Sequence, residues 1–235
     1  MKYRIGVENK FEGFRSIAWA LDHPGCFAYG LNEQEAIANS VGAMHDYVNW
    51  MHAHESSWIP LDESFEPQVE QMWTDYMVND DFERVEEDGF YVEPFFECEW
   101  KPLMKIDIER GLKLLAWSRA DLLSLLEKLT PEQWTCKKEG ERWDITGIVN
   151  HISEGELWYL DRFGLAPSQA DVSGDPMEPL NKIREALNDQ LPTLEGSKQV
   201  IGLEGEFWSP RKLLRRAIWH ERDHTEHIRK LIQQR

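Results

Sequence analysis

Two histidines near the end of the chain have the spacing of a metal-ligand pair. His220 and His224 lie four residues apart in a segment that reads as a long helix beginning at Ser209-Pro210. Residues four apart project from one face of a helix, and this face is otherwise apolar. With eight histidines in the chain, the spacing alone is weak evidence, and a pair of core histidines is the alternative. Burying two imidazoles without partners is costly, which favours the interpretation as inward-facing metal ligands.

A third imidazole is available from an earlier predicted helix. His151 lies on or beside the apolar stripe of the segment Ile148–Ile152. Alone it would read as a structural histidine, but beside the inward pair it becomes the natural third ligand. Three neutral imidazoles leave at least one coordination position open, and a metal held in this way can activate water or a thiol. Imidazole donors suit Zn, Ni, Cu or Fe; we expect a divalent transition metal, with Zn or Ni as the first candidates.

The second part of the chain, residues 101–235, is predicted to be an all-α domain. Its helices are expected at Ile106–Leu129, from Asp144 to about Phe163, at Glu178–Gln190, and from Ser209 onward. Thr130–Gln133 predicts a short capped turn, and Gly164–Pro179 and Thr193–Trp208 are predicted loops. Four helices joined in this way favour a four-helix bundle with a site between facing helices.

The first part, residues 1–100, is predicted to be an α+β domain. Strands are expected at Tyr3–Glu8, Phe14–Leu21, Cys26–Tyr29 and Phe90–Cys98. A helix should follow Asn32, which is a suitable N-cap with Glu35 at the capping-box position. The acidic stretch Asp62–Asp88 could be either a helix or a loosely packed connector. The boundary between the two parts is expected near Trp100-Lys101-Pro102.

Charge is distributed unevenly between the two parts. Residues 1–100 contain 5 Lys and Arg against 21 Asp and Glu, whereas the other 135 residues contain 21 and 22. An acidic first part repels phosphate backbones and argues against nucleic-acid binding there. Solubility is the simpler explanation of this charge, and a basic or metal-bearing partner is the other. Three widely spaced cysteines, with neither a signal peptide nor a membrane span, lead us to expect a cytoplasmic protein.

The second part resembles the DinB-like four-helix bundles. The resemblance rests on Arg142-Trp143-Asp144-Ile145, on the following His151, and on His220 and His224 in the last helix, and it covers about residues 104–235. It implies that the three histidines form a metal site. Related members include transferases and isomerases that use low-molecular-weight thiols, and members often pair as homodimers. A metal-dependent enzyme that activates a thiol or water for transfer, isomerisation or hydrolysis of a small molecule is therefore expected.

The first part resembles a HicB-like domain. The resemblance rests on Pro24-Gly25-Cys26, Gly30 and the helix start at Glu35-Ala36, and it covers roughly residues 1–55. HicB antitoxins bind a small RNA-cleaving toxin and usually carry a DNA-binding segment, of which no pattern is evident here. The alternative function is therefore a non-catalytic interaction protein whose acidic HicB-like domain binds a protein partner. A metal sensor joining both domains is a third hypothesis.

Several other residues near the histidines could take part in chemistry. Glu154, one turn after His151, is a candidate general base. His227 is expected at the surface, with a substrate-facing position as the alternative. The acidic residues of the last helix could orient a ligand imidazole, but we expect them on its solvated face: Glu221, Asp223 and Glu226. Trp158 and Trp219 are expected in the core, with a wall of the site as the alternative.

Overall fold

The chain folds into two compact units. A computed structural model describes residues 1–54, 58–61, 64–167 and 175–233. The first unit contains residues 1–101 together with 200–212, and the second contains residues 102–199 and 213–235.

The first unit contains one long helix, a four-stranded and a three-stranded β-sheet, and a two-stranded hairpin from later in the chain. Its elements are β1 (Lys2–Phe11), β2 (Arg15–Ala20), β3 (Phe27–Gly30), α1 (Glu33–His54), β4 (Glu66–Thr74), β5 (Tyr76–Val78), β6 (Arg84–Val85), β7 (Phe90–Val92) and a 3₁₀ helix at Glu97–Trp100. The larger sheet has the strand order β3-β2-β1-β4. In it β1 is antiparallel to β2 and parallel to β4, and α1 packs against β2 and β3. The smaller sheet has the order β6-β5-β7.

The early elements of this unit lie close to where the sequence predicts them. The three predicted strands correspond to β1, β2 and β3, and α1 begins directly after Asn32. Asn32 caps the helix, because its Oδ1 accepts a hydrogen bond from the backbone N–H of Glu35 at 3.0 Å. β1 is an inner strand of the sheet, and Tyr3, Ile5 and Val7 are buried in the core of this unit.

The acidic stretch and the strand after it differ from expectation. Asp62–Asp88 is neither a helix nor a plain connector over its described residues, since it contains β4, β5 and β6. Its first two residues lie outside the part that the structure describes. The predicted strand Phe90–Cys98 is confined to β7, and the 3₁₀ helix begins at Glu97. β4 has no described strand on its outer side and is largely exposed, so an alternating apolar pattern is weak there.

A short hairpin belongs to the first unit although it lies far along the chain. A 3₁₀ turn at Leu191–Leu194 overlaps the start of the predicted loop Thr193–Trp208. The rest of that loop contains two strands, β8 (Ile201–Leu203) and β9 (Glu206–Trp208). The two residues between them, Glu204 and Gly205, both have positive φ angles, 51° and 79°. This is the turn geometry that matches the twist of a two-residue hairpin. Strands of three residues are too short for hydrophobic periodicity to reveal.

The second unit is helical. Its helices are α2 (Lys105–Leu126), α3 (Pro131–Thr135), α4 (Ile145–Asp161), α5 (Met177–Gln190) and most of α6 (Pro210–Gln233). Asp144 caps α4 as expected, accepting the N–H of Gly147 at 2.8 Å. The helices match the predicted segments to within a few residues. The described residues contain six α-helices in all, five of them after residue 104, so the four-helix bundle stays a prediction.

The core of the second unit brings α4 and α6 together. A cluster of buried apolar residues joins four helices: Leu122, Leu126, Ile145, Ile148, Val149, Ile152, Leu180, Ile228 and Leu231. α2 also approaches α6 closely at Gly111, where a Cβ atom would lie 2.7 Å from Leu214 Cδ2. The inward faces of α4 and α6 are the faces that carry the predicted ligand histidines. No helix in the described part of the chain is long and apolar enough to cross a membrane.

Candidate metal centre

The three predicted ligand histidines lie together in the second unit. His151 comes from the middle of α4, and His220 and His224 come from successive turns of α6. Their rings are 4.5 to 4.9 Å apart between centroids. Nε2 of His151 lies 3.2 Å from Nε2 of His220, and one ring nitrogen from each histidine falls within 4.8 Å of the others. Two nitrogens bound to one ion at metal–nitrogen distances of about 2.0–2.1 Å lie at most about 4.2 Å apart. The His151–His220 pair already satisfies this limit, and a pair nearer 4.8 Å would need a small side-chain movement to share the ion.

Two glycines on α4 make room for this arrangement. Gly147 and Gly155 lie one turn before and one turn after His151, on the same helix face. A Cβ atom on Gly155 would lie 2.6 Å from Cε1 of His220 and 2.9 Å from its Nδ1. A Cβ atom on Gly147 would lie 2.8 Å from Cβ of Trp143. The α4 backbone is therefore in direct contact with a ligand imidazole on one side and with the tryptophan beside the site on the other.

The loop before α4 forms one wall of the site. The ring of Trp143 stacks on the ring of His151, with centroids 4.5 Å apart and an angle of 26° between planes. The guanidinium carbon of Arg142 lies 4.3 Å from the centroid of Trp143. Oε2 of Glu141 lies 2.9 Å from Nε2 of His227, one turn beyond His224. Three consecutive side chains of one loop thus lie along the edge of the triad.

Burial keeps the two α6 imidazoles neutral. The pKa of His224 is lowered to about 3, mainly by burial and to a smaller extent by the neighbouring imidazoles of His151 and His227. Burial also lowers the pKa of His220 well below its ordinary value, with the neighbouring imidazoles adding to the effect; His220 is 5% exposed. Neutral imidazoles have the free lone pair that a metal ion requires.

His151 is more open than the α6 pair and feels two opposite charges. Burial again is the main cause that lowers its pKa, Glu154 opposes this shift, and Arg142 reinforces it. Glu154 is exposed on α4, and its charge acts on His151 through space. His151 is therefore the ligand histidine that lies nearest to exposed charged side chains, those of Glu154 and Arg142.

The donor set fits a divalent transition metal. Nδ1 of His220 and Nδ1 of His224 are buried, and neither has a hydrogen-bond partner among the residues that the structure describes. Buried polar atoms nearly always have a partner, and leaving one without costs free energy. Three neutral imidazoles around a common point, two of them with such nitrogens, match the preferences of Zn, Ni, Cu or Fe.

A family model agrees with this geometry. The model described as DinB family matches residues 104–234, more than half of the chain. The chain belongs to the DinB family. No curated protein and no solved structure matches it significantly. The DinB resemblance is thus confirmed, whereas the match does not reach residues 1–103, and the HicB-like resemblance stays a prediction.

A network of buried charges in the second unit adjoins the histidine triad, because its residue Glu221 directly follows His220 in α6. It joins one residue from each of the four longer helices: Arg119 from α2, Glu156 from α4, Arg184 from α5 and Glu221 from α6. Nε of Arg119 donates to Glu221 Oε2 at 2.6 Å, and Nε of Arg184 donates to Glu156 Oε2 at 3.2 Å. Burial alone would raise the pKa of Glu221, but Arg184 and Arg119 hold it below its ordinary value. The network thus pairs two arginines with two glutamates, so its formal charges balance.

The position of Glu221 corrects the sequence interpretation. We expected it on the solvated face of the helix, but it is fully buried. Asp223 is half-buried and Glu226 is exposed and paired with Arg229. None of these three carboxylates bonds a ligand imidazole in the described hydrogen bonds. The orientation of the ligands comes instead from the stack with Trp143 and from the contact with Gly155.

His227 and Trp158 also differ from their simplest interpretation, whereas Trp219 does not. His227 is half-buried and pairs with Glu141 rather than lying free at the surface. Trp219 is buried, as expected of a core residue, but Trp158 is 38% exposed. Arg119, Glu156 and Arg184 were missed altogether from the sequence. Their signal was available as charged residues on the apolar face of helices, for example Glu156 between Ile152 and Leu160.

The lowered pKa of His224 predicts a pH dependence of stability in the metal-free protein. An ordinary histidine of the unfolded chain titrates near about 6.5, whereas folded His224 titrates near about 3. Between these values the unfolded state binds more protons, so stability falls as the pH falls. The contribution is complete above about pH 6.5, is lost progressively down to about pH 3, and amounts to at most about 1.4 kcal/mol per pH unit.

Urea unfolding between pH 7 and pH 4 measures this slope. His224→Gln should have a shallower slope than the wild type, because the variant has no imidazole to protonate there. His45→Gln, a change at an exposed histidine of α1, is the matched control and should retain the wild-type slope. Equal slopes for wild type and His224→Gln would contradict the assignment.

Proposed function

We propose that this DinB protein binds a divalent transition metal through His151, His220 and His224. The observation that carries the proposal is the convergence of three neutral imidazoles, from two helices, with one ring nitrogen from each within 4.8 Å of the others. Membership of the DinB family supports it, because this family is typically metal-binding. Zn and Ni are the first candidates, on the basis of imidazole donors alone.

We further propose that the centre is that of an enzyme. Three protein ligands are characteristic of catalytic zinc sites, whereas structural sites are usually closed by four. A metal bound there would lower the pKa of a coordinated thiol or water and polarise an electrophile. Such chemistry serves transfer, isomerisation or hydrolysis of a small molecule, with a low-molecular-weight thiol as the first candidate substrate.

The chain's own residues would prepare this centre in three ways. Burial keeps the imidazoles of His220 and His224 neutral at neutral pH. Trp143 fixes the ring plane of His151 by stacking on it. Glu154 and the Glu141–His227 pair, at the more open side, are the groups placed to hold a proton that a substrate releases.

Metal content of the purified protein tests the proposal. Untagged protein purified without chelators or added metal should contain close to one metal ion per chain by mass spectrometry. His220→Ala/His224→Ala should lose it, and His45→Ala/His54→Ala, which removes two histidines of α1, should keep it. Circular dichroism establishes that each variant is folded. If neither wild type nor control holds metal after reloading with Zn and Ni, the histidines are core residues and the proposal is wrong.

A second candidate function concerns residues 1–100, which we propose as a HicB-like domain that binds a protein partner. It is favoured by the charge of this part, a net of −16, and by β4, a long sheet edge with Met72 53% exposed. The division into this domain and a metal-binding four-helix bundle at 101–235 is part of the same proposal.

We expect a basic partner protein to co-purify with the wild type and with His220→Ala/His224→Ala alike. This partner should dissociate in high salt. Dissociation of the partner upon loss of the histidines would contradict it.

A further inference from the structure

Arg142 is the cationic side chain of the loop that borders the triad. Its guanidinium carbon lies 4.3 Å from the centroid of Trp143, and Trp143 in turn lies 4.5 Å from His151. These two distances put the guanidinium within about 9 Å of the His151 ring, close to the Debye length of about 8 Å at physiological ionic strength. We infer that Arg142 selects substrates that carry a carboxylate close to the reacting group, and this inference rests on the proposed function.

The charges around Arg142 leave its positive charge available. No carboxylate pairs with it among the described residues, although acidic groups are near. Glu141, its neighbour in the chain, is bonded to His227 instead. Glu154 is exposed on α4, and its charge acts on the imidazole of His151. The imidazoles of the triad are neutral, so the ligand set adds no negative charge of its own.

Guanidinium chemistry determines the class of group that fits. Arg presents a planar fork of donors that binds a carboxylate through two parallel hydrogen bonds. The stack on Trp143 limits the conformations of the side chain, so that less entropy is lost when an anion binds. A small thiol with a carboxylate a few bonds from its sulfur spans the distance between the triad and this guanidinium.

A purely structural role for Arg142 makes a different prediction. In that case the guanidinium would serve only to cover the ring of Trp143, and its removal would affect every substrate equally. Selection by charge affects anionic substrates alone and leaves neutral ones unchanged. The two interpretations therefore differ in the ratio of the affinity for an anionic thiol to the affinity for a neutral thiol, and not in overall activity.

The test is the binding of thiols at low salt to the 235-residue chain loaded with cobalt(II). The sulfur-to-cobalt charge-transfer absorption measures this binding. The probes are mercaptosuccinate, which carries two carboxylates, and mercaptoethanol, which carries none. Arg142→Gln should bind mercaptosuccinate about tenfold more weakly than wild type, the equivalent of one charge-assisted pair, with its mercaptoethanol affinity unchanged. Arg142→Lys should retain only part of the preference, because lysine keeps the charge but lacks the planar fork. Lys230→Gln, which removes an exposed cation at the end of α6, should retain all of it.

Each other outcome has a distinct meaning. Equal loss for both thiols, or no loss in Arg142→Gln, would overturn the inference while leaving the metal centre intact. Cobalt binding without any thiol absorption would also overturn it and would leave water activation as the function of the centre. Failure of the wild type to bind cobalt would refute the proposed function itself.

Discussion

Arg184→Met is expected to lower the free energy of unfolding by about 3–5 kcal/mol, because it breaks a fully buried charge network on one side only. Arg184 contacts Glu156 through two nitrogens and lies 3.0 Å from Glu221 Oε2. It also donates to the backbone oxygen of Leu115 at 2.9 Å. Methionine fills a similar volume but supplies no donor, so two buried carboxylates would share Arg119 alone.

Urea and thermal unfolding measure this loss, and a surface pair supplies the control. Arg229 pairs with Glu226 on the exposed side of α6, and Arg229→Met should change stability by at most about 0.5 kcal/mol. The buried change should lower Tm by about 10 °C, since each kcal/mol corresponds to about 2–4 °C for a chain of this size.

A double variant tests whether the four charges act as one network. Arg184→Met/Glu156→Leu removes one cation and one anion, leaving Arg119 with Glu221 at 2.6 Å. Because the charges balance again, this variant should be more stable than the sum of its single changes predicts. Strict additivity of the two losses would show that the pairs are independent.

The metal-ligand histidines could be predicted from sequence because their signal is local. His220 and His224 share a helix face by their spacing alone, and His151 lies on the apolar stripe of a helix that Asp144 caps. The cap, the stripe and the spacing each depend on residues within a few positions. Local rules of helix geometry therefore suffice to direct all three side chains toward the core.

Glu221 could not be predicted in this way, because its environment is made by distant parts of the chain. Its partners Arg119 and Arg184 come from α2 and α5, and nothing in the neighbouring residues of α6 distinguishes it from Glu226. A charged residue is normally solvated, and only the packing of other helices makes burial favourable here.

The strands between residues 66 and 92 were hidden for a different reason. β4 is largely exposed, so polar and acidic residues occupy both of its faces and the alternation that marks a strand is lost. β6 and β7 contain only two and three residues. Pairing with β1 stabilises β4, and this pairing joins residues more than sixty positions apart.

Gly155→Ala is expected to weaken metal binding by about 10–100-fold, the range typical of changes that displace a ligand imidazole through its surroundings. The new methyl group would lie 2.6 Å from Cε1 of His220 and 2.9 Å from Nδ1. Real Cβ atoms do not approach so closely, and both α4 and α6 are held by the core around them. His220 must therefore rotate or move away from His151 and His224.

Gly42→Ala is the matched control, because it makes the same chemical change in open space. Gly42 lies inside α1 with no atom within 4 Å of the position its Cβ would take. Alanine favours the helix over glycine, so this control should gain about 0.5–1 kcal/mol of stability and leave metal affinity unchanged. Gly155→Ala makes the same glycine-to-alanine change inside a helix. Any loss of metal affinity in that variant therefore measures the contact with His220.

Competition for zinc against a chelator of known affinity measures both variants and the wild type. Weaker binding in Gly155→Ala, with normal binding in Gly42→Ala, would mean that the backbone of α4 holds the ligand in place. Unchanged zinc affinity in Gly155→Ala would mean that His220 can move without cost to the centre. Gly147→Ala then separates the two sides of His151, because its methyl group would meet Trp143 rather than a ligand. It should alter affinity less than Gly155→Ala does, since the stack with Trp143 orients His151 but supplies none of the donor nitrogens.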